Sequence, residues 1–277
     1  MEKKIVTTMG AFALILSLAF TGCSGNSDAE PKKEEKEYLS ESDIANLFSD
    51  PDNYKGKYVK LSGKIFNGPD TAENYVAYQA WHDIQNSTND FVFGMENPEE
   101  DFNVDDYVIV DGKITGTFEG ENAFGTTIEC PQIDAISIEK QSYMEAVVPT
   151  IKELTPENAI SEQNGISLKV DKVEFAEQET RVYLTESNAS TDTFGFNVYD
   201  IKITQNGQQI SQDASSSSRY EGEYPELPYE ILPNASSSGV LVFPAIDSSA
   251  SFQIYADGYS DNWELTFAPF IIDVSVQ

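Results

Sequence analysis

The chain holds one histidine, His82, and two cysteines, Cys23 and Cys130. Nucleophilic catalysis needs an activated nucleophile beside a base that a third group orients. His82 and Cys130 both lie in stretches with strand periodicity, so they would meet only across a sheet or barrel, and no family signature surrounds either. A buried structural thiol and a rim histidine are the expected states. One histidine and one free cysteine cannot complete a tetrahedral zinc set. Carboxylates are so abundant that a glycosidase pair, two acids about 5–10 Å apart, cannot be singled out, and short β domains leave little room for its cleft.

Two other groupings could bind rather than transform. Asn97 to Asp106 (NPEEDFNVDD) packs Glu99, Glu100, Asp101, Asp105 and Asp106 into one stretch. Hard cations want oxygen ligands, so this is a candidate weak Ca²⁺ site, although the spacing is not an EF-hand and no glycine sits at the required turn. Without that ion, no cofactor is expected. Tyr75 and Trp81 fall on one face of an alternating stretch with Ala77 and Gln79 between them, a candidate stacking platform. Gln212 to Tyr229 (QDASSSSRYEGEYPELPY) is too polar and proline-rich for a strand. It reads as a long loop whose Arg219, Tyr220, Tyr224 and Tyr229 have the composition of a recognition surface.

Charge narrows the partners. With 17 Lys and Arg against 47 Asp and Glu, the formal net charge is −30. The excess is spread evenly: residues 38–140 and 150–277 each hold 20 acidic and 6 basic side chains. Such a field repels nucleic acid and anionic polymers. Lys60 and Lys64 offer little of the basic groove that single-strand binding requires, and no nucleic-acid partner is expected. Hydrophobic content of 40% with 12% aromatics supplies real cores.

Lys3 and Lys4 precede an uncharged apolar run, Met9 to Phe20, and the small Gly22 stands just before Cys23. The run is shorter than the ~20 apolar residues of a spanning helix, so residues 1–22 read as a signal peptide. Leu18-Ala19-Phe20-Thr21-Gly22-Cys23, followed by Ser24-Gly25 and a charged run, resembles the lipobox of bacterial lipoproteins, with Phe20 where leucine is usual. The resemblance implies that Cys23 becomes the first mature residue and carries diacylglycerol. Each buried methylene contributes about 0.8 kcal/mol, so two or more chains hold a protein on a membrane. Residues 23–37 are then a lipidated cysteine and flexible linker, and the protein is expected outside the cytoplasm, on the outer face of the bacterial membrane. Cys130 is left without a disulfide partner.

The elements that must position these residues are strands. Ser40 to Ser49 reads as a short helix that Ser40 or Ser42 can cap, with Asp43 three after Ser40 as in a capping box, and that Asp50-Pro51 ends. From Tyr54 the period becomes two: Val59, Leu61 and Ile65 alternate with polar residues, and further strands follow at 74–82, 91–95, 107–117 and 126–138, with a turn at Glu119 to Gly125. Five short strands after a small helix call for a closed barrel. Tyr54-Lys55-Gly56-Lys57-Tyr58-Val59-Lys60-Leu61-Ser62-Gly63-Lys64-Ile65 is similar to the opening strand of OB-fold domains in bacterial exported proteins. Asp106 to Gly116 is similar to their fourth strand and Pro131-Gln132-Ile133 to the last. The resemblance implies an OB-like five-stranded barrel over residues 38–140 and says little about function.

Residues 141–159 read as a connector. Beyond them, strands are expected at 166–175, 181–185, 194–203, 239–243, 252–256, 264–267 and 270–274, with turns at Asn206-Gly207 and Asp257-Gly258, a β-sandwich over 160–277. Leu232 to Pro244 (LPNASSSGVLVFP) resembles a strand of an immunoglobulin-like domain that recurs in Gram-positive lipoproteins and is similar to a secreted mycobacterial antigen. The fold class expected is therefore all-β, a small OB-like barrel with a short N-terminal helix followed by an immunoglobulin-like sandwich.

The function expected is a non-catalytic binding module of an anchored, extracytoplasmic lipoprotein, with an unknown envelope protein or polymer as partner and the membrane engaged only through lipid. The alternatives are a small-ligand or divalent-cation-binding lipoprotein beside a transporter or sensor and, remotely, an envelope hydrolase. Labelling of growing cells with radioactive palmitate is expected to mark the wild-type chain and leave Cys23→Ala unmarked; equal labelling of both would remove the anchor.

Overall fold

Ser40 begins the first helix because its hydroxyl can accept from the amide of Asp43, at 3.3 Å, while donating to the Asp43 carboxylate at 2.7 Å. The computed structural model describes residues 36–121 and 127–276, so the leader, Cys23 and most of the linker lie outside the described residues. Helix α1 (Glu41–Leu47) buries Leu47 and lays Ile44 and Phe48 against the barrel core. Pro51 then starts a single 3₁₀ turn, Pro51–Tyr54.

Five strands follow: β1 (Tyr58–Ala72), β2 (Tyr75–Asp83), β3 (Thr88–Glu96), β4 (Tyr107–Glu121) and β5 (Thr127–Gln141). They close as β1-β2-β3-β5-β4, with β4 returning to β1. All neighbours are antiparallel except β3 and β5, which run parallel over Val92–Gly94. This is an OB-like barrel, and closure leaves no unpaired edge. Alternation points Leu61, Ile65, Ala80, Phe91, Phe93 and Ile133 inward. Gly63 is needed among them, since a Cβ there would lie 2.8 Å from the Phe91 ring. Glu119 to Glu121, expected in a turn, extend β4; the rest of that turn lies outside the described residues.

Contacts divide the chain after Gln141. The stretch 141–159 is not a mere connector. Ser142 forms a reciprocal capping box with Glu145 at the start of α2 (Tyr143–Val147), β6 (Lys152–Leu154) pairs with the strand at 166–175, and Ala159 is buried in the second core. A connector reading failed here because a five-residue helix and a three-residue strand are too short to show a period. The remaining strands are β7 (Ile160–Gln163), β8 (Ile166–Phe175), β9 (Glu179–Asn188), β10 (Phe194–Phe196), β11 (Lys202–Gln205), β12 (Gln208–Ser211), β13 (Ala235–Pro244), β14 (Phe252–Ala256), β15 (Gly258–Ser260) and β16 (Phe270–Val274).

One sheet runs β13-β9-β8-β6 with β7 also on β8, and a second runs β12-β11-β14-β16. Their inner faces share one core, with Val182, Leu184 and Phe243 from the first and Ile203, Ile254 and Ile272 from the second, the two-layer arrangement of a β-sandwich. Two expected strands differ. The stretch 194–203 is broken by a 3₁₀ turn at Val198–Asp200 and joins two different sheets, β10 pairing with β15 and β11 with β14. Residues 264–267 form no strand: Phe267 packs on the core through ring contacts with Phe194 and Phe270, while Trp263 is 86% exposed.

Glu186 departs from the inner-face pattern. It lies on the same side of β9 as Leu184, opposite Leu168 of β8 and Ser237 of β13. Both its carboxylate oxygens are buried with no hydrogen-bond partner among the described residues. Burial pushes its pKa up to about 8 from 4.5. The native state thus keeps a proton that the unfolded chain releases near pH 4.5, so the cost of Glu186 is absent below that pH, grows as pH rises and is complete above about pH 8. At pH 7 it amounts to about 3 kcal/mol. Glu186→Gln is expected to be more stable than wild type at pH 8 and to lose less stability between pH 5 and 8 in urea denaturation.

Candidate functional site

The polar loop at 212–229 is tied down by charge. Because Val173 and Val182 face the core, their neighbours Lys172, Glu174, Arg181 and Tyr183 stand on the outer face of the β8–β9 pair. Arg181 is completely buried there. Its Nε donates to Glu174 at 2.9 Å, its Nη1 to Glu179 at 2.8 Å and to the Val148 carbonyl at 2.9 Å, and its Nη2 to Thr150 at 2.6 Å. Glu174 also accepts from Lys172 at 2.6 Å and from Tyr183 at 3.0 Å. Burial alone would raise the Glu174 carboxyl, but hydrogen bonds from Lys172 and Arg181 outweigh it and hold the group below the usual carboxylate range.

Glu179 carries this network into the loop. Its second oxygen accepts from Ser218 at 2.6 Å and from Ser216 at 3.2 Å, and Ser218 is buried within the one-turn helix α3 (Ser218–Glu221). Tyr224 donates its hydroxyl to the sulfur of Met144 in α2 and sets its ring edge-on to Tyr183, and Leu227 enters the sandwich core. Burial drives the Tyr224 hydroxyl far up. Of the residues expected to form a surface, Tyr224 is therefore an anchor.

On its other side the loop walls a recess of about 470 Å³, counting the part open to solvent. Its apolar lining comes from Val198, Leu227 and Val240–Val242, and its polar lining from Tyr199, Gln212, Arg219 and Glu226. Arg219 sits 5.9 Å over the Tyr199 ring, and no ion-pair partner holds it among the described residues. Gln212 donates to the carbonyls of Val198 and Ile201, at 2.7 and 3.3 Å, which leaves its Oε1 buried without a partner among the described residues. The Tyr199 and Tyr229 rings stand 5.4 Å apart at 63°, each more than half exposed (57% and 56%). A hydrogen bond with Tyr199 raises the Tyr229 hydroxyl. Tyr220 is 76% exposed and lies outside the lining. Gln212 and Glu226 lie in the loop marked by its composition, though their types did not single them out, and Tyr199 sat inside an apparent strand.

The barrel candidates are placed otherwise. Trp81 and Tyr75 do share the outer face of β2, but Trp81 stacks on Phe66 at 4.4 Å and Tyr75 lies so close over Gly94 that a Cβ there would be 2.6 Å from its ring. Burial, with the nearby Asp134 carboxylate, pushes the Tyr75 hydroxyl up to about 12. Gln79 between them is buried and accepts from Asn67 at 3.0 Å. Lys64 is paired with Asp105 at 3.0 Å and Lys60 lies 3.8 Å from Asp111. This face packs on itself.

The acidic stretch is divided rather than gathered. Asp105 goes to Lys64, while Asp106 takes Lys140 at 2.9 Å and the Asn103 amide at 2.9 Å. Glu99, Glu100 and Asp101 are exposed, and no three potential ligands converge among the described residues. Cys130 and His82 also stay apart. His82 follows the inward Tyr78 and Ala80, donates from Nδ1 to the Ser62 carbonyl at 2.8 Å and stacks on Phe48. Cys130 alternates with the inward Ile133 and Ala135 and so lies on the outside of the wall, where burial, helped by Asp90, pushes its thiol up to about 12.

Among the described residues no helix is long and apolar enough to cross a membrane. No family model matches the chain, and no curated protein does. Among solved structures, a functionally unknown protein from Listeria monocytogenes EGD-e is similar at a TM-score of 0.34 and 9% identity, over 50% of this chain and 94% of that one.

Arg181→Met removes the only ion pair of the buried Glu179 among the described residues and one of the two, with Arg181 and Lys172, that hold Glu174. Removing one partner of a buried ion pair costs about 3–5 kcal/mol, and a loss of that order is expected in chemical denaturation, with faster amide exchange in residues 216–224. A loss below 1 kcal/mol would show that the loop does not depend on this guanidinium.

Proposed function

We propose that the protein is a lipoprotein of the bacterial envelope, anchored through diacylated Cys23, that binds an envelope component through its sandwich module without transforming it. The leader and the residues around Cys23 support the anchoring. The observation that carries the binding is Arg219, one of only two arginines in a chain of net charge −30, which stands beside exposed Tyr199 and Tyr229. It makes no salt bridge among the described residues, although hydrogen bonds from Ser215 and, more weakly, the Arg219 charge lower the Asp213 carboxyl. A guanidinium that makes no salt bridge among the described residues can take a ligand, and Arg and Tyr are among the residues that contribute most to interfaces. The pinned loop adds rigidity, which lowers the ordering cost of binding.

The barrel supplies a closed, acidic module between tether and binding surface, and its charge keeps it off an anionic membrane. Envelope fragments incubated with the full chain should retain it, and the double change Arg219→Ala with Tyr229→Ala should lower retention at least tenfold. The control pair, Tyr75→Phe with Asp105→Asn on the barrel, should leave it unchanged. Equal retention of the sandwich variant and wild type would end this reading.

A further inference from the structure

We propose that the recess beside Arg219 takes a neutral glycan, a chain of uncharged hexose or N-acetylhexosamine units. This rests on the binding role proposed above and names the chemistry of the ligand. The first constraint is charge. Asp213, Glu221, Glu223 and Glu226 surround the recess or lie in its loop, with Arg219 the one cation in the lining. Such a field repels polyanions such as phosphate-bearing polymers but is indifferent to an uncharged chain.

Hydrogen-bonding type is the second constraint. The lining offers donors on Arg219 and an acceptor on Glu226. A phosphate only accepts and leaves Glu226 unmet. An ammonium only donates and leaves Arg219 unmet. Sugar hydroxyls do both.

Shape supplies the third. Tyr199 lines the recess, and Tyr229, outside the lining, touches it at 63°, so the two rings form an open corner at the recess edge, not a flat platform. The C–H face of a pyranose can lie on one ring while its edge meets the other, with hydroxyls left for the polar groups. A peptide would also carry donors and acceptors, but its usual route is to extend a sheet edge. At the recess that edge is closed: the Val240 amide donates to the Pro225 carbonyl at 2.9 Å, and the Val242 carbonyl accepts from the Asp213 amide at 3.0 Å.

The full chain should be titrated with tri-N-acetylchitotriose, maltotriose, inorganic polyphosphate and the capped peptide acetyl-Ala-Ala-Ala-amide, following binding by calorimetry and tyrosine fluorescence. Saturable binding of at least one trisaccharide, weakened at least tenfold by Tyr229→Ala and by Arg219→Ala, is expected; the two trisaccharides distinguish an aminosugar from a plain hexose source. Both changes are at exposed or partly exposed side chains, and unchanged thermal midpoints show that each variant folds. Binding of polyphosphate or peptide in place of sugar overturns the glycan assignment, as does sugar binding that ignores both substitutions. If neither sugar binds yet envelope fragments are still retained through Arg219 and Tyr229, the glycan inference falls and the binding role stands. If retention is also insensitive to those residues, both fall.

Discussion

The buried guanidinium of Arg181 is the interaction on which the second module's surface depends. It is completely removed from water and bonded to two carboxylates, a carbonyl and a hydroxyl. A buried ion pair stabilises weakly compared with an apolar core, because desolvation offsets most of the attraction. What it does well is specify position. Glu179 cannot turn away from Arg181 without leaving charge unpaired, and its other oxygen fixes Ser216 and Ser218. A serine-rich segment that would otherwise remain solvated is thereby laid on a sheet, and the recess with Arg219 exists because its wall is held.

The two modules treat their aromatic residues in opposite ways. In the barrel, Trp81 and Phe66 satisfy each other, and Tyr75 lies on a glycine, so ring faces are consumed internally. In the sandwich, Tyr199 and Tyr229 touch each other only at an angle and leave more than half of their surface to solvent. Exposed aromatic surface beside a cation with no salt bridge among the described residues marks a place where burial and desolvation are still to be gained. The same contrast holds for charge: Lys64, Lys140 and Lys57 are paired with acids in the barrel, while Arg219 is not. These differences place the proposed binding role on the second module and leave the first as a closed body.

Much of the fold was legible from period alone. Val59, Leu61 and Ile65 alternate cleanly because one face of β1 is dry, and β14 and β16 were bounded to the residue because their alternation runs from end to end. The errors have two causes. The three-residue β6 is too short to show a period. The break at Val198–Asp200 and the irregular 264–267 stretch depend on partners distant in sequence, such as β15 and β14, which pair with β10 and β11, and the Phe194 and Phe270 rings that receive Phe267. Glu186 was unreadable in the same way. An alternating strand predicts its inward side, yet nothing local says that a carboxyl there finds no partner.

The residues alone determined the all-β class, a short helix capped by Ser40 or Ser42, the acidic surface and the loop at 212–229, since each follows from local chemistry: side-chain alternation, capping, net charge and the exclusion of proline from strands. Tertiary structure decided which of the loop's side chains are anchors and which are free. Tyr224 and Tyr229 are equivalent by type and five residues apart, and only the packing of α2 against α3 sends one to Met144 and leaves the other beside Tyr199. A surface is defined by what fails to be covered, and coverage is a property of the whole folded chain.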